Sequence, residues 1–160
     1  MAEPELRVLL VCLGNICRSP AAHGVLVHQL AQAGLAGRVA VDSAGTGDWH
    51  VGRPPDPRML SAAQQRGYDL SPLRARQVCA ADFDEYDYIL AMDNSNLVDL
   101  RALAGASRAH IALFLSFGDT ALREVPDPYY GGDEGFVEVL ELVEAGSRGL
   151  IARLKQDLPA

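Results

Sequence analysis

The chain is short of cysteine, of basic clusters and of long apolar runs. Three cysteines in 160 residues are too few, and odd in number, for a disulfide framework. A reducing compartment is expected, where a thiol is free to react. No apolar stretch approaches the roughly 20 residues of a membrane helix. The acidic start Met1-Ala-Glu-Pro-Glu, followed by a short apolar run broken at Asn15 and Arg18, does not read as a secretory leader. The expectation is a cytoplasmic protein with no membrane partner. Clusters of Lys or Arg are missing too: 14 basic residues face 21 acidic ones, and the formal net charge is −7. That balance argues against a nucleic-acid partner. It leaves room for a small anion, because a ring of backbone N–H groups can bind one inside an acidic protein. Repeats, linkers and low-complexity tracts are also lacking. A single domain over residues 1–160 is expected, large enough to fold without disulfide or metal staples.

What is present is an alternation of strand and helix signals. Leu6 to Cys12 is a continuous apolar run with valines, the pattern of a buried parallel strand. Ser19-Pro20 then opens a helix, with Ser as cap and Pro at the first helical position. Val25, Leu26 and Leu30 follow at helical spacing and Gly34 ends it. Val39 to Val41 reads as a short strand. Asp56-Pro57 starts a helix that Gly67 closes. Tyr88 to Met92 is a buried strand, Asn94 or Ser95 caps a helix running through Leu103, and His110 to Phe114 is a fourth strand. A last helix is expected over about 134–158. It carries a stripe of Phe136, Val137, Leu140, Val143, Leu150, Ile151 and Leu154, with Gly146 and Gly149 weakening its middle enough for a bend. The fold class is α/β: a four-stranded parallel sheet with helices on both faces, a three-layer sandwich. Such sheets bind ligands beyond the carboxyl ends of their strands, which puts the Cys12–Ser19 loop where chemistry is expected.

That loop, Cys12-Leu13-Gly14-Asn15-Ile16-Cys17-Arg18-Ser19, joins a strand to a helix N-terminus. Its N–H groups can point inward, and the helix dipole adds positive potential. Gly14 and Asn15 best accept the left-handed backbone of such a turn. Arg18 offers a planar fork for two phosphate oxygens. A positive field of this kind also favours thiolate over thiol, which would make Cys12 a nucleophile needing no separate base. Cys79 has no such surroundings and reads as a small buried hydrophobe. Zinc is a poor fit for Cys12, Cys17, His23 and His28. Only five residues separate Cys17 from His23, where a finger uses about twelve. The two histidines, five apart, share no helix face and read as surface or edge residues. No metal or cofactor is expected.

Cys12 to Pro20 resembles the signature of the low-molecular-weight protein tyrosine phosphatases. Asp42-Ser-Ala-Gly-Thr46, Ala91-Met92-Asp93-Asn-Ser-Asn96 and Asp127-Pro-Tyr-Tyr130 are similar to further segments of that family, in the same order along nearly the whole chain. The resemblance implies a phosphatase I-like fold and a two-step hydrolysis of phosphotyrosine proteins or small aryl phosphates. Cys12 would carry a phosphocysteine intermediate. Arg18 would hold the phosphoryl oxygens with the amides of Leu13, Gly14, Asn15, Ile16, Cys17 and Ser19. Asp127 would serve as general acid, then base. Asn15, Ser19 and Ser43 would brace the loop, with Asp93 in support, and Trp49, Tyr129 and Tyr130 would wall the cleft. Phosphate would be product and inhibitor.

Leu73 stands where many members carry a histidine of the polar network under the loop. The leucine side chain cannot hydrogen-bond, so the bracing is expected to be altered or supplied by another group. Cys17, five residues after Cys12, is expected to trap an oxidised Cys12 as a reversible disulfide; the alternative is that it only fills space behind the loop. Three other functions compete with this one. A thioredoxin-coupled arsenate reductase needs more thiols than Cys79, and position 86 is tyrosine. A protein-arginine phosphatase is expected to have threonine in place of Ile16. A phosphotyrosine-binding module needs neither nucleophile nor acid.

Overall fold

Valines and leucines in unbroken series suit a strand buried on both faces, and the central strand of this chain is one. The computed structural model describes residues 3–129 and 131–159. Strand β1 (Leu6–Cys12) leads through the loop into helix α1 (Arg18–Gln32), then β2 (Val39–Gly45), α2 (Pro57–Gln65), the one-turn α3 (Asp82–Glu85), β3 (Tyr88–Ala91), α4 (Asn94–Ala104) and β4 (His110–Leu113). A 3₁₀ turn (Phe114–Phe117) and the long α5 (Asp133–Asp157) follow. All strands are parallel in the order β2-β1-β3-β4.

The period of two along β1 divides its side chains between two cores. Val8, Leu10 and Cys12 join α1, α2 and α5 on one face, and Leu9 and Val11 join α3 and α4 on the other. Each fully buried leucine or valine there contributes about 1.5–3 kcal/mol. Cys12 therefore ends the most deeply held strand, on the face that α1 covers.

The expected elements are all present, with differences that have causes. β2 is longer than Val39–Val41, because Ser43, Ala44 and Gly45 pair with Leu10, Val11 and Cys12. A ladder on the central strand overrides their weak strand preference. Asp56 caps α2 as expected, accepting from the Arg58 amide at 2.8 Å. Ser19 is not the cap of α1. The helix starts at Arg18, with Cys17 at the cap position making no side-chain capping bond. Asp93, not Asn94 or Ser95, caps α4, accepting from the Asn96 amide at 2.8 Å. α5 runs unbroken through Gly146 and Gly149. A Cβ on Gly149 would lie 1.7 Å from the Phe117 carbonyl oxygen, so this glycine serves close packing of α5 on the 3₁₀ turn. Cys79 is exposed rather than buried. No described helix is long and apolar enough to cross a membrane.

Candidate active site

Between β1 and α1 the chain turns around the Cys12 sulfur. Asn15 takes a left-handed backbone, φ 57°, and its amide donates to Cys12 Sγ at 3.2 Å. Its carboxamide nitrogen donates to Ser19 Oγ at 2.8 Å. With that lone pair taken, the Ser19 hydroxyl can give its own proton to Sγ, 3.0 Å away. Ser19 therefore faces the thiol and leaves the helix end uncapped. An uncapped N-terminus keeps its first amides available for an anion.

Arg18, the first residue of α1, is buried at 3% exposure. Its Nη1 donates to Asp93 Oδ2 at 2.6 Å and to the Val125 carbonyl at 3.1 Å. Nη2 lies 3.6 Å from Asp127 Oδ2. Burial works against the guanidinium charge, but the negative potential of Cys12, Asp93 and Asp127 outweighs it and holds Arg18 above its ordinary range. Asp93 thus serves two elements, capping α4 with one oxygen and gripping Arg18 with the other. Asp127 is nearly half exposed and accepts the Tyr129 amide at 3.1 Å.

These groups open on a cleft of about 400 Å³. Cys12, Leu13, Gly14, Ile16, Cys17 and Arg18 line it from the loop, and Trp49, His50, Asp127 and Tyr129 from outside. Asn15 and Ser19 do not line it; their side chains lie buried behind the loop. Tyr130 falls outside the described residues. Trp49 is 67% exposed and lies over Gly47, where a Cβ would come within 1.9 Å of its ring. Cys17 packs into the main core. Burial, then the charges of Asp56, Cys12 and Asp127, push its thiol up, so in the reduced protein it is a protonated packing group. His50 was not foreseen; its only signal was its place beside Trp49 in a glycine-flanked loop.

Two further side chains bear on the loop and its neighbours. Leu73 packs against the main core, and Asn15 Oδ1 accepts the Arg76 amide at 3.0 Å. His23 is half-buried on α1. Its Nδ1 lies 3.1 Å from Ser43 Oγ, so the Ser43 hydroxyl is engaged with α1. Burial lowers the His23 pKa, against a smaller opposing pull from Asp42. A histidine kept neutral when folded binds its proton more readily once unfolded. Its contribution to stability is complete above the unfolded value near 6.5 and is lost as pH falls toward the lower folded value. Urea midpoints between about pH 5 and pH 8 should show wild type losing more stability on the acid side than His23→Asn, whose amide can keep the Ser43 bond. Parallel curves for the two proteins would assign the acid sensitivity elsewhere.

A buried arginine and a thiol on a strand–helix turn, with Asp127 3.6 Å from the guanidinium, make a site suited to a phosphate group. The comparisons make the class narrower. A family model for the low molecular weight phosphotyrosine protein phosphatases matches residues 7–160. A low molecular weight protein-tyrosine-phosphatase of Bacillus subtilis is 42% identical over 154 residues, covering 95% of this chain and 97% of the relative. The crystal structure of a protein tyrosine phosphatase from Entamoeba histolytica with Hepes in the active site superposes with a TM-score of 0.92 at 38% identity, covering 95% and 98% of the two chains. A Drosophila arginine phosphatase superposes with a TM-score of 0.89 at 33% identity, covering 96% and 100%. The chain belongs to the low molecular weight phosphotyrosine protein phosphatase family and is an enzyme of the protein-tyrosine-phosphatase class.

Proposed function

We propose that this enzyme hydrolyses phosphotyrosine and other aryl phosphate monoesters in two steps. In the first, Cys12 Sγ attacks phosphorus, the P–O bond to the phenol breaks, and Asp127 gives its proton to the leaving oxygen. In the second, Asp127 takes a proton from water, the water oxygen attacks phosphorus, and the S–P bond breaks to release phosphate. The Asn15 amide and the Ser19 hydroxyl, both within hydrogen-bond reach of Sγ, would steady the negative charge returning to sulfur. Arg18 and the uncapped N-terminus of α1 would hold the phosphoryl oxygens, whose charge the reaction redistributes. Phosphate, as product, would compete for the same cradle.

One observation carries this reading: nucleophile, guanidinium and carboxylate open on a single cleft at the carboxyl end of the central strand. Leu13, Ile16, Trp49 and Tyr129 give it apolar walls suited to an aryl ring. Cys79 does not line the cleft, which disfavours a thiol relay of the arsenate-reductase kind.

The similarity to an arginine phosphatase makes the substrate test a direct one. Peptides carrying phosphotyrosine, phosphoserine and phosphoarginine should be compared at equal concentration by phosphate release. Phosphotyrosine is expected to turn over fastest, with phosphoserine near background, because a serine side chain cannot span the apolar walls. Faster release from phosphoarginine would replace the aryl ester as substrate class.

A further inference from the structure

Behind the cleft, residues 75–78 form a strap joined to three parts of the site. Gln77 makes an isolated parallel bridge with Gly45 at the end of β2. The Gly45 amide donates to the Arg76 carbonyl and the Val78 amide to the Gly45 carbonyl, both at 2.8 Å. Toward the rim that carries Trp49 and His50, the Gly52 amide donates to the Ala75 carbonyl at 2.8 Å, and the Ala75 amide to the Arg53 carbonyl at 2.9 Å. Toward the loop, the Arg76 amide donates to Asn15 Oδ1 at 3.0 Å. One isolated bridge is a weak hold for a segment with so many attachments.

The Arg76 side chain supplies the rest. Its Nη1 and Nη2 donate to the two oxygens of Asp82, each at 3.0 Å, and Nε donates to Asp42 Oδ2 at 3.1 Å. Asp82 is 5% exposed and also accepts the Cys79 amide at 2.8 Å. A two-pronged guanidinium–carboxylate grip fixes direction as well as distance, which a lysine cannot do. Arg76 does not line the cleft, so it has no route to substrate. What it reaches is Asn15, the one described non-glycine residue with positive φ. That backbone is costly unless the surroundings over-determine it, and Asn15 is tied at both ends of its carboxamide, to Arg76 and to Ser19.

We propose that Arg76 is a positioning residue for the phosphate loop: gripped by Asp82 and Asp42, it holds its own backbone N–H against Asn15 and so sets the loop amides and the Cys12 sulfur against the arriving phosphoryl group. The proposal rests on the phosphate-handling reading of the cleft given above. Arg76→Met keeps the apolar stem and removes the grip. It should lower kcat/KM for an aryl phosphate about 10- to 100-fold, the scale of a small misplacement of reacting groups. Vanadate affinity, read by calorimetry, should fall with it. Arg76→Lys should recover only part of the loss.

A double-mutant cycle with Asn15→Ala separates positioning from general support. If Arg76 acts through Asn15, Arg76→Met should cost less than about threefold more in the Asn15→Ala background. Losses that multiply in the double variant, or wild-type kinetics and vanadate affinity in Arg76→Met, would overturn the proposal. If Arg76→Met fails to fold, Asp82→Asn loosens the same grip and carries the same cycle. Vanadate binding needs no turnover. A wild type that binds vanadate without hydrolysing aryl phosphate would overturn the hydrolase reading, and the Arg76 cycle would still be read by calorimetry.

Discussion

Cys12→Ser should bind phosphate or vanadate and turn over no aryl phosphate. The two residues that hold Sγ, the Asn15 amide at 3.2 Å and the Ser19 hydroxyl at 3.0 Å, can also hold a serine hydroxyl. The substitution removes a little volume at the end of a buried strand and no hydrogen-bond partner. Arg18 keeps its bonds to Asp93 and Val125, so the cradle survives. What is lost is the nucleophile. A serine hydroxyl needs a general base to attack, and Asp127, the carboxylate that lines the cleft, is needed in its acid form for the proposed first step. Calorimetric titration with vanadate and a phosphate-release assay on the same preparation test both halves. Measurable turnover close to wild type would remove Cys12 from the nucleophile's role. Loss of vanadate binding together with turnover would instead mean that the cradle depends on the sulfur.

Asp127→Ala should slow esters of poorly acidic phenols by about 10²–10⁴ in kcat/KM, the usual worth of a positioned general acid. The loss should shrink as the leaving phenol becomes more acidic, because such a phenolate departs without a proton. Asp127 is 46% exposed, so its removal leaves no buried cavity, and Arg18 retains the closer Asp93 at 2.6 Å. Thermal stability should therefore change little. A series of aryl phosphates of graded leaving-group acidity gives the test through kcat/KM, which reports the first chemical step. Dependence on leaving-group acidity should be steeper in the variant than in wild type. Parallel lines would mean that Asp127 contributes to binding, and the acid would have to be sought elsewhere around the cleft.

The loop was legible because it is local. A run of valine and leucine, a turn holding Gly14 and Asn15, and a Ser-Pro helix start all lie within one short stretch, so residue type and spacing suffice to put Cys12 and Arg18 on opposite sides of one turn. The Asp-Pro signal gave the start of α2 for the same reason. The cap of α1 was misread because Ser19 has two physically sensible partners. The local one is the helix's own amides and the distant one is the Cys12 sulfur, and folding chose the sulfur. The cap of α4 was misread by one residue, since Asp, Asn and Ser in succession are all good caps. β2 was underestimated because Asp42, Ser43 and Gly45 extend as a strand only when β1 is beside them.

Strand and helix order, the parallel α/β class and the cysteine–arginine turn follow from the chain alone, since each depends on periodicity or on residues within one turn of each other. The surroundings of Arg18 do not. Asp93 and Val125 lie 75 and 107 positions away, and nothing local marks Val125 as an acceptor. The partnerships of His23 with Ser43 and of Arg76 with Asp42 and Asp82 were likewise decided by packing. A buried polar group must find a partner wherever the fold brings one within about 3 Å, and sequence spacing carries no information about which distant group that is. Leucine at position 73 cannot brace the loop through its side chain, and the backbone amide that does reach Asn15, from Arg76, lies 61 positions away.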